Sequence, residues 1–240
     1  MTAIISWPAV DPLSPINATL AAIRRRHGKD SLQGLVPGLR ATATNQAGWR
    51  LASTLLSTEG MADFLETAAR RWNAQPHAAA ALAWKCYSYW LALPAVVGYA
   101  TARRVPIMSP SEVLVQYSPA QPFVRVGLRD PLVVEDATLS TLRTSVLDGH
   151  LGPLMERIQE HVHLGQRTLL GSVASGTAYA LSRAGQAAQA PAVLAALGVE
   201  DLVELTLLPG GQARIQRKTC CLAFTLPTPK VCGGCCIRTA

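Results

Sequence analysis

Five of the six cysteines, Cys220, Cys221, Cys232, Cys235 and Cys236, fall within the last 21 residues of a 240-residue chain. Cross-links confined to so short a segment cannot staple the rest of the chain, so the body has to fold on apolar burial alone. The material is present. Hydrophobic residues make up 49% and charged residues 15%, which excludes a disordered chain and suffices for one large domain or two small ones. The charge is as uneven as the cysteines. Of the net +7, residues 205–240 contribute +5 through Arg214, Arg217, Lys218, Lys230 and Arg238, with no Asp or Glu, and the preceding 204 residues balance to +2.

The body reads as mainly helical. Ser14-Pro15 is a helix start and Gly28 a stop after Arg24-Arg25-Arg26-His27, a basic run placed where the helix dipole favours cations and read as a solvated helix end. Residues 30–48 read as irregular or weakly extended. A second helix is predicted from Ser57, with Met61, Phe64, Leu65, Ala68 and Trp72 at helical spacing until Pro76 breaks it. Ala78–Leu93 is apolar on nearly every face, as a central core helix would be, with Pro94 starting a further helix. The period then changes. Glu112–Tyr117 and Phe123–Leu128 read as two antiparallel strands, which Leu132–Val134 extends. Helical spacing resumes from Ala137 through Leu142, Val146, Leu154, Ile158 and Val162, and again over Gly165–Ala184. Leu202–Leu208, Pro209-Gly210-Gly211 and Ala213–Arg217 read as a β-hairpin leading into the cysteines. The expected fold class is α+β. A mainly helical body, residues 1–200, carries a small antiparallel strand pair near 112–134, and a hairpin with a cysteine-rich cluster-binding tail, residues 201–240, packs with it.

Several classes are excluded. The longest uncharged run, Cys86–Ala102, has 17 residues, at the bottom of the spanning range, and contains Tyr87, Ser88, Tyr89, Pro94 and Gly98, so no transmembrane segment is expected. The opening MTAIISWPAVDP has no basic stretch and its apolar run is cut by prolines, so no secretory leader is expected and the thiols are placed in a reducing, cytoplasmic setting. A charge of +7 without interleaved aromatics gives no nucleic-acid pattern. No Gly-rich dinucleotide fingerprint follows a strand. His161 and His163 lie on different sides of a helix and read as surface residues, while the isolated Cys86 reads as a small buried hydrophobe.

Metal binding is what the tail retains. Cys220-Cys221, ten residues, Cys232, two residues, Cys235 can supply four thiolates to a tetrahedral zinc or to an iron–sulfur cluster. Adjacent strand residues point to opposite faces, so the chain must bend at the vicinal pair for both to serve one centre, and a two-iron cluster accommodates neighbours more readily than one ion. Gly233-Gly234 let the second turn wrap closely, and Pro227 and Pro229 stiffen the connection. Nearby cations would stabilise an anionic cluster and suit an acidic docking partner.

The segment TCCLAFTLPTPKVCGGC resembles the C-terminal cluster-binding signature of the FhuF-like siderophore-iron reductases. WKCYSYWLALPAVVGYA and LLGSVASGTAYAL are similar to that family's Trp/Tyr-rich helix running into a Leu-Pro step and to its Gly/Ser/Ala helix. The resemblance spans roughly residues 60–240. It implies that Cys220, Cys221, Cys232 and Cys235 hold a [2Fe–2S] cluster and that the chain is an oxidoreductase of iron homeostasis. It would pass one electron to a ferric siderophore in the cytoplasm, supplied by a ferredoxin, flavodoxin or reductase partner. Peripheral membrane contact stays open. Cys236 departs from the pattern and stands next to the least certain ligand, Cys235. Two other readings stay open as well: a [2Fe–2S] electron carrier or redox sensor without enzymatic activity, and a binding protein with a structural zinc site.

Overall fold

A computed structural model describes residues 11–41 and 48–237. The opening segment read for a leader (residues 1–10), residues 42–47 of the irregular stretch and Arg238 lie outside these. The fold is α+β and mainly helical. Helix α1 (Ser14–His27) begins on Leu13 rather than on a Ser14 cap, with Pro15 in its first turn, and Gly28 ends it at φ 90°. Helix α2 (Thr58–Trp72) has the Ser57 hydroxyl accepting from the Gly60 amide, and Asn73 closes it in the left-handed region.

Helix α3 (Pro76–Ala102) departs from expectation, because it runs for 27 residues straight through Pro94. An interior proline loses one backbone bond and costs about 3 kcal/mol in an exposed helix. Here Leu91, Leu93, Val96 and Val97 on either side are fully buried, and burying such side chains stabilises by about 1.5–3 kcal/mol each. Packing therefore overrides the break. Beyond it, α4 (Leu139–Arg143), a π-helical stretch (Thr144–Leu151) and α5 (Gly152–His161) form one helical path. Helix α6 (Gln166–Arg183) lies along α3, and α7 (Ala190–Leu197) packs on α6.

Three small sheets flank these helices. The largest has the order β1-β5-β4-β2, made from β1 (Leu35–Arg40), β2 (Arg50–Leu51), β4 (Val113–Tyr117) and β5 (Val124–Leu128). The β4–β5 pair is antiparallel as expected. The sheet is not purely antiparallel, however, because β1 joins the β5 edge in parallel, its register interrupted between Leu35 and Arg40. Gly38 and Leu39 take φ of 68° and 62° there, and Pro37, which cannot donate to a ladder, is tolerated on an edge strand. Strands β3 (Val105–Pro106) and β6 (Val133–Val134) pair separately, so residues 132–134 form a second sheet and do not extend the first. Strands β7 (Val203–Leu208) and β8 (Gln212–Arg217) form the hairpin across Pro209-Gly210-Gly211. Among the described residues no helix is long and apolar enough to cross a membrane.

The π-helical stretch places His150 inside the core, fully buried. Its Nδ1 bonds the Met108 carbonyl and its Nε2 lies 2.7 Å from the Tyr87 hydroxyl. The carbonyl can only accept, so Nδ1 carries the proton and Nε2 accepts from Tyr87. Burial holds the imidazole down to about 4. A depressed folded-state value means that the unfolded chain binds the proton more readily, so stability present above pH 6.5 drains away as pH falls towards 4. We expect thermal unfolding to show a loss of up to roughly 3 kcal/mol across that window. His150→Asn, which keeps a donor for Met108 but does not titrate, flattens the slope while lowering stability at pH 7.

Candidate metal centre

The tail reaches the body through the hairpin. Strand β8 lies on α6, where the Ala213 amide donates to Ser182 Oγ at 3.0 Å. Two glycines allow the approach. A Cβ on Gly171 of α6 would stand 1.9 Å from Thr219 Oγ1, next to Cys220, and one on Gly234 would stand 2.0 Å from the Ile215 carbonyl of β8. Beyond Thr219 the chain makes the bend that a vicinal pair requires: Leu222 sits in the left-handed region at φ 59°, and its amide donates to Cys220 Sγ at 3.3 Å. The connection returns with the Lys230 amide on the Ala223 carbonyl, and the Cys232–Cys235 turn closes through the Cys235 amide on the Cys232 carbonyl at 3.1 Å. That turn is fixed to β8, since the Arg217 amide donates to the Gly234 carbonyl at 2.9 Å and Gln216 Nε2 to the Cys235 carbonyl at 2.8 Å.

These contacts gather all five tail cysteines, but not around one point. Cys221 interacts with Cys232 and Cys220 with Cys236, while Cys235 is buried and acts electrostatically on both Cys232 and Cys236. Among the described residues no three His, Cys, Asp or Glu side chains are disposed to hold a single metal ion. Three of the four expected ligands therefore fall into the two pairs, and Cys236, not Cys235, is the neighbour of Cys220. Cys86 packs against the core, and its thiol is pushed up to about 11 by burial, in keeping with a structural residue.

The surroundings are cationic. Lys85 of α3 brings its Nζ to 4.0 Å from Cys221 Sγ. Burial alone would push the Cys221 thiol up, but Lys85, the Ala223 amide, Arg217 and Cys232 outweigh it and hold the thiol below its usual range. Burial and neighbouring sulfurs push Cys232 and Cys236 up instead. Arg217 is only 3% exposed. Its Nη2 reaches Ser172 Oγ at 3.3 Å, while Nε and Nη1 are buried with no partner among the described residues. A buried guanidinium without an anion is costly, and its field falls on Cys221, Cys232 and Cys236. Lys218, by contrast, pairs with Glu204 at 3.4 Å, just before the acid-free stretch.

Lys85 was invisible as a site residue in the sequence, whereas Arg217 was among the tail cations read there as stabilising an anionic cluster. Lys85 belongs to a helix well over a hundred positions upstream, and no local pattern aims it at a tail thiol. The donor set fits an anionic, sulfur-ligated group. The thiols come as pairs, the arrangement in which two irons share four cysteines, and the two orphaned nitrogens of Arg217 could donate to an anion. No family model matches the chain, and no curated protein matches it.

The two turn glycines give a direct check. Gly233 has open space where a Cβ would be added, so Gly233→Ala leaves thermal stability nearly unchanged. Gly234→Ala has to lift the Cys232–Cys235 turn off β8 and costs about 1–3 kcal/mol, with a matching loss of bound metal on metal analysis.

Proposed function

We propose that the chain is a reductase of ferric siderophores that uses a [2Fe–2S] cluster held by Cys220, Cys221, Cys232 and Cys235, as its resemblance to the FhuF-like family implies. The observation that carries this reading is the buried, unpaired Arg217 guanidinium beside paired thiols. When bound, the group supplies reversible one-electron storage. Hydroxamate or catecholate oxygens are hard ligands that hold Fe(III) far more tightly than Fe(II). One electron delivered to the chelated Fe(III) gives Fe(II), which the chelate then releases. No proton transfer and no nucleophile are required.

The chain's own groups have defined roles in this scheme. Lys85 and Arg217 offset the charge of the thiolates and favour the state carrying one more electron. The Leu222 amide on Cys220 Sγ orients and softens that sulfur. Exposed Phe224 and Val231 beside Lys230 give the tail a cationic, partly apolar surface for an acidic electron-donor protein, a ferredoxin, a flavodoxin or a reductase, in the cytoplasm.

Anaerobically purified protein is expected to be coloured, with about two irons and two acid-labile sulfides per chain. Colourless, zinc-loaded protein without sulfide overturns the reading. Cys220→Ser, Cys221→Ser and Cys232→Ser each abolish the visible absorption. Cys235→Ser compared with Cys236→Ser identifies the fourth ligand, and loss only in Cys236→Ser would move that role to the neighbour of Cys220. Reduced protein should lose its electron to ferric siderophore, with Fe(II) captured by a ferrous chelator. Oxidation no faster than in buffer leaves an electron carrier, not a reductase.

Replacing the buried cation tests its part separately. Arg217→Met is expected to lower the reduction potential by at least about 59 mV, a tenfold step for one electron, measured by redox titration of the visible spectrum. An unchanged potential would mean that the guanidinium does not face the cluster.

A further inference from the structure

Between the end of α2 and the connection joining the two cysteine turns lies an open cleft of about 320 Å³. Arg70, Arg71 and Trp72 form one wall, and Leu226, Thr228 and Lys230 the other. Its floor belongs to the metal centre as well. Leu226 packs in one small apolar cluster with Cys221, Ala223 and Leu82, and half-buried Trp72 and Cys232 pack against the same cluster. A molecule seated in the cleft thus rests on side chains that pack with two of the proposed ligands.

The cleft is positively charged and holds no carboxylate of its own. Arg70 is shared with Glu66 at 3.8 Å across the helix surface. Arg71 donates to the neutral Gln121 Oε1 at 3.1 Å and has no ion-pair partner among the described residues. Lys230 is exposed and has no ion-pair partner among the described residues. The half-buried indole of Trp72 adds a flat apolar surface between these cations. A volume of this size admits part of a small chelate and not a folded protein, so the donor protein discussed above rests outside it, on Phe224 and Val231, and shares only the rim residue Lys230 with the cleft.

We propose that this cleft seats the ferric chelate and selects complexes of net negative charge, in which catecholate or carboxylate oxygens surround the iron. Three dianionic catecholates around Fe(III) leave a trianion, whereas three hydroxamates leave a neutral complex. The cations of Arg71 and Lys230 therefore separate the two classes, and Trp72 offers its face to an aromatic ring. This rests on the reductase reading, whose electron step is unchanged: one electron passes to Fe(III), and the donor protein replaces it.

The test uses the full chain and Ga(III) chelates, which share the charge and ligand preference of Fe(III) but are not reduced under these conditions, so binding is separated from turnover. Calorimetric titration is expected to show the Ga(III) tricatecholate binding more tightly than the Ga(III) trihydroxamate. The double variant R71E/K230E weakens the tricatecholate by about tenfold or more, and R71Q/K230Q, a milder change kept in case the reversal misfolds, weakens it to a lesser degree. The trihydroxamate is unaffected by either. A Ga(III) citrate arm tells carboxylate from catecholate selectivity, since loss of its binding in Trp72→Ala together with the tricatecholate's would point to general apolar contact, and loss of the tricatecholate's alone to ring stacking. Equal binding of anionic and neutral chelates, indifference to both charge variants, or displacement by millimolar inorganic phosphate overturns the proposal. Iron and sulfide are assayed on the same samples. Cluster-loaded protein that ignores the tricatecholate overturns the cleft alone, and cluster-free protein that binds it overturns the reductase reading alone.

Discussion

The five tail sulfurs share a location only because the backbone of the tail comes closer to the body than side chains normally permit. Gly171 leaves room for Thr219 on α6, and Gly234 leaves room for the Ile215 carbonyl on β8. Between these two contacts the chain has to turn sharply, and it does so at Leu222, whose strain of about 1–3 kcal/mol in the left-handed region is offset by the Cys220 sulfur accepting its amide. A tail tethered less tightly would carry the same cysteines but would not hold them beside Lys85 and Arg217. The spacing of the cysteines permits a metal centre. The glycines give it a position.

That position governs the electrostatics. In bulk water a guanidinium near a thiolate changes little, because solvent screens both. Arg217 has been taken out of solvent by the hairpin packing on α6, and in a low-dielectric setting the same charge acts strongly over several ångströms. The absence of a carboxylate partner then becomes informative. Buried arginines are normally paired, and the groups this one faces are sulfurs. The protein thus spends stability on a cation that faces the tail sulfurs, a cost that an anionic thiolate-bound centre, as proposed, would offset.

Local chemistry made part of this legible from the amino acids alone. The hairpin turn Pro209-Gly210-Gly211 and the strands on either side came within a residue of their ends, as did the β4–β5 pair, because turn residues and alternation are local signals. The parallel addition of β1 to β5 is not local. It joins residues some ninety positions apart through two intervening helices, and nothing in Leu35–Arg40 announces a partner. Pro94 misled for the opposite reason: its local preference is strong, but the core around it is stronger. At the site, the cysteines and Gly234 could be read from the segment, whereas Lys85, Ser172 and Gly171 are supplied by helices α3 and α6 and become neighbours of the tail only through the fold. Segments of both helices carried part of the family resemblance, and the structure packs the two helices along each other, with Trp84 Nε1 donating to the Leu169 carbonyl at 2.8 Å.

The basic excess that first accompanied the cysteines separates into cations that do different work. Arg217 is buried, and its charge acts on the sulfurs whether or not a partner is present. Lys218 is largely cancelled by Glu204. Lys230 is exposed on the rigid connection and joins Arg71, a residue of the body that no count of the tail would include, across a cleft. Exposed charges of that kind contribute little to stability and act on what approaches from solution. One sign of charge would therefore serve two purposes in the proposed reductase, divided by burial: the interior cation would set how readily the centre accepts an electron, and the surface pair which molecule is near enough to take it.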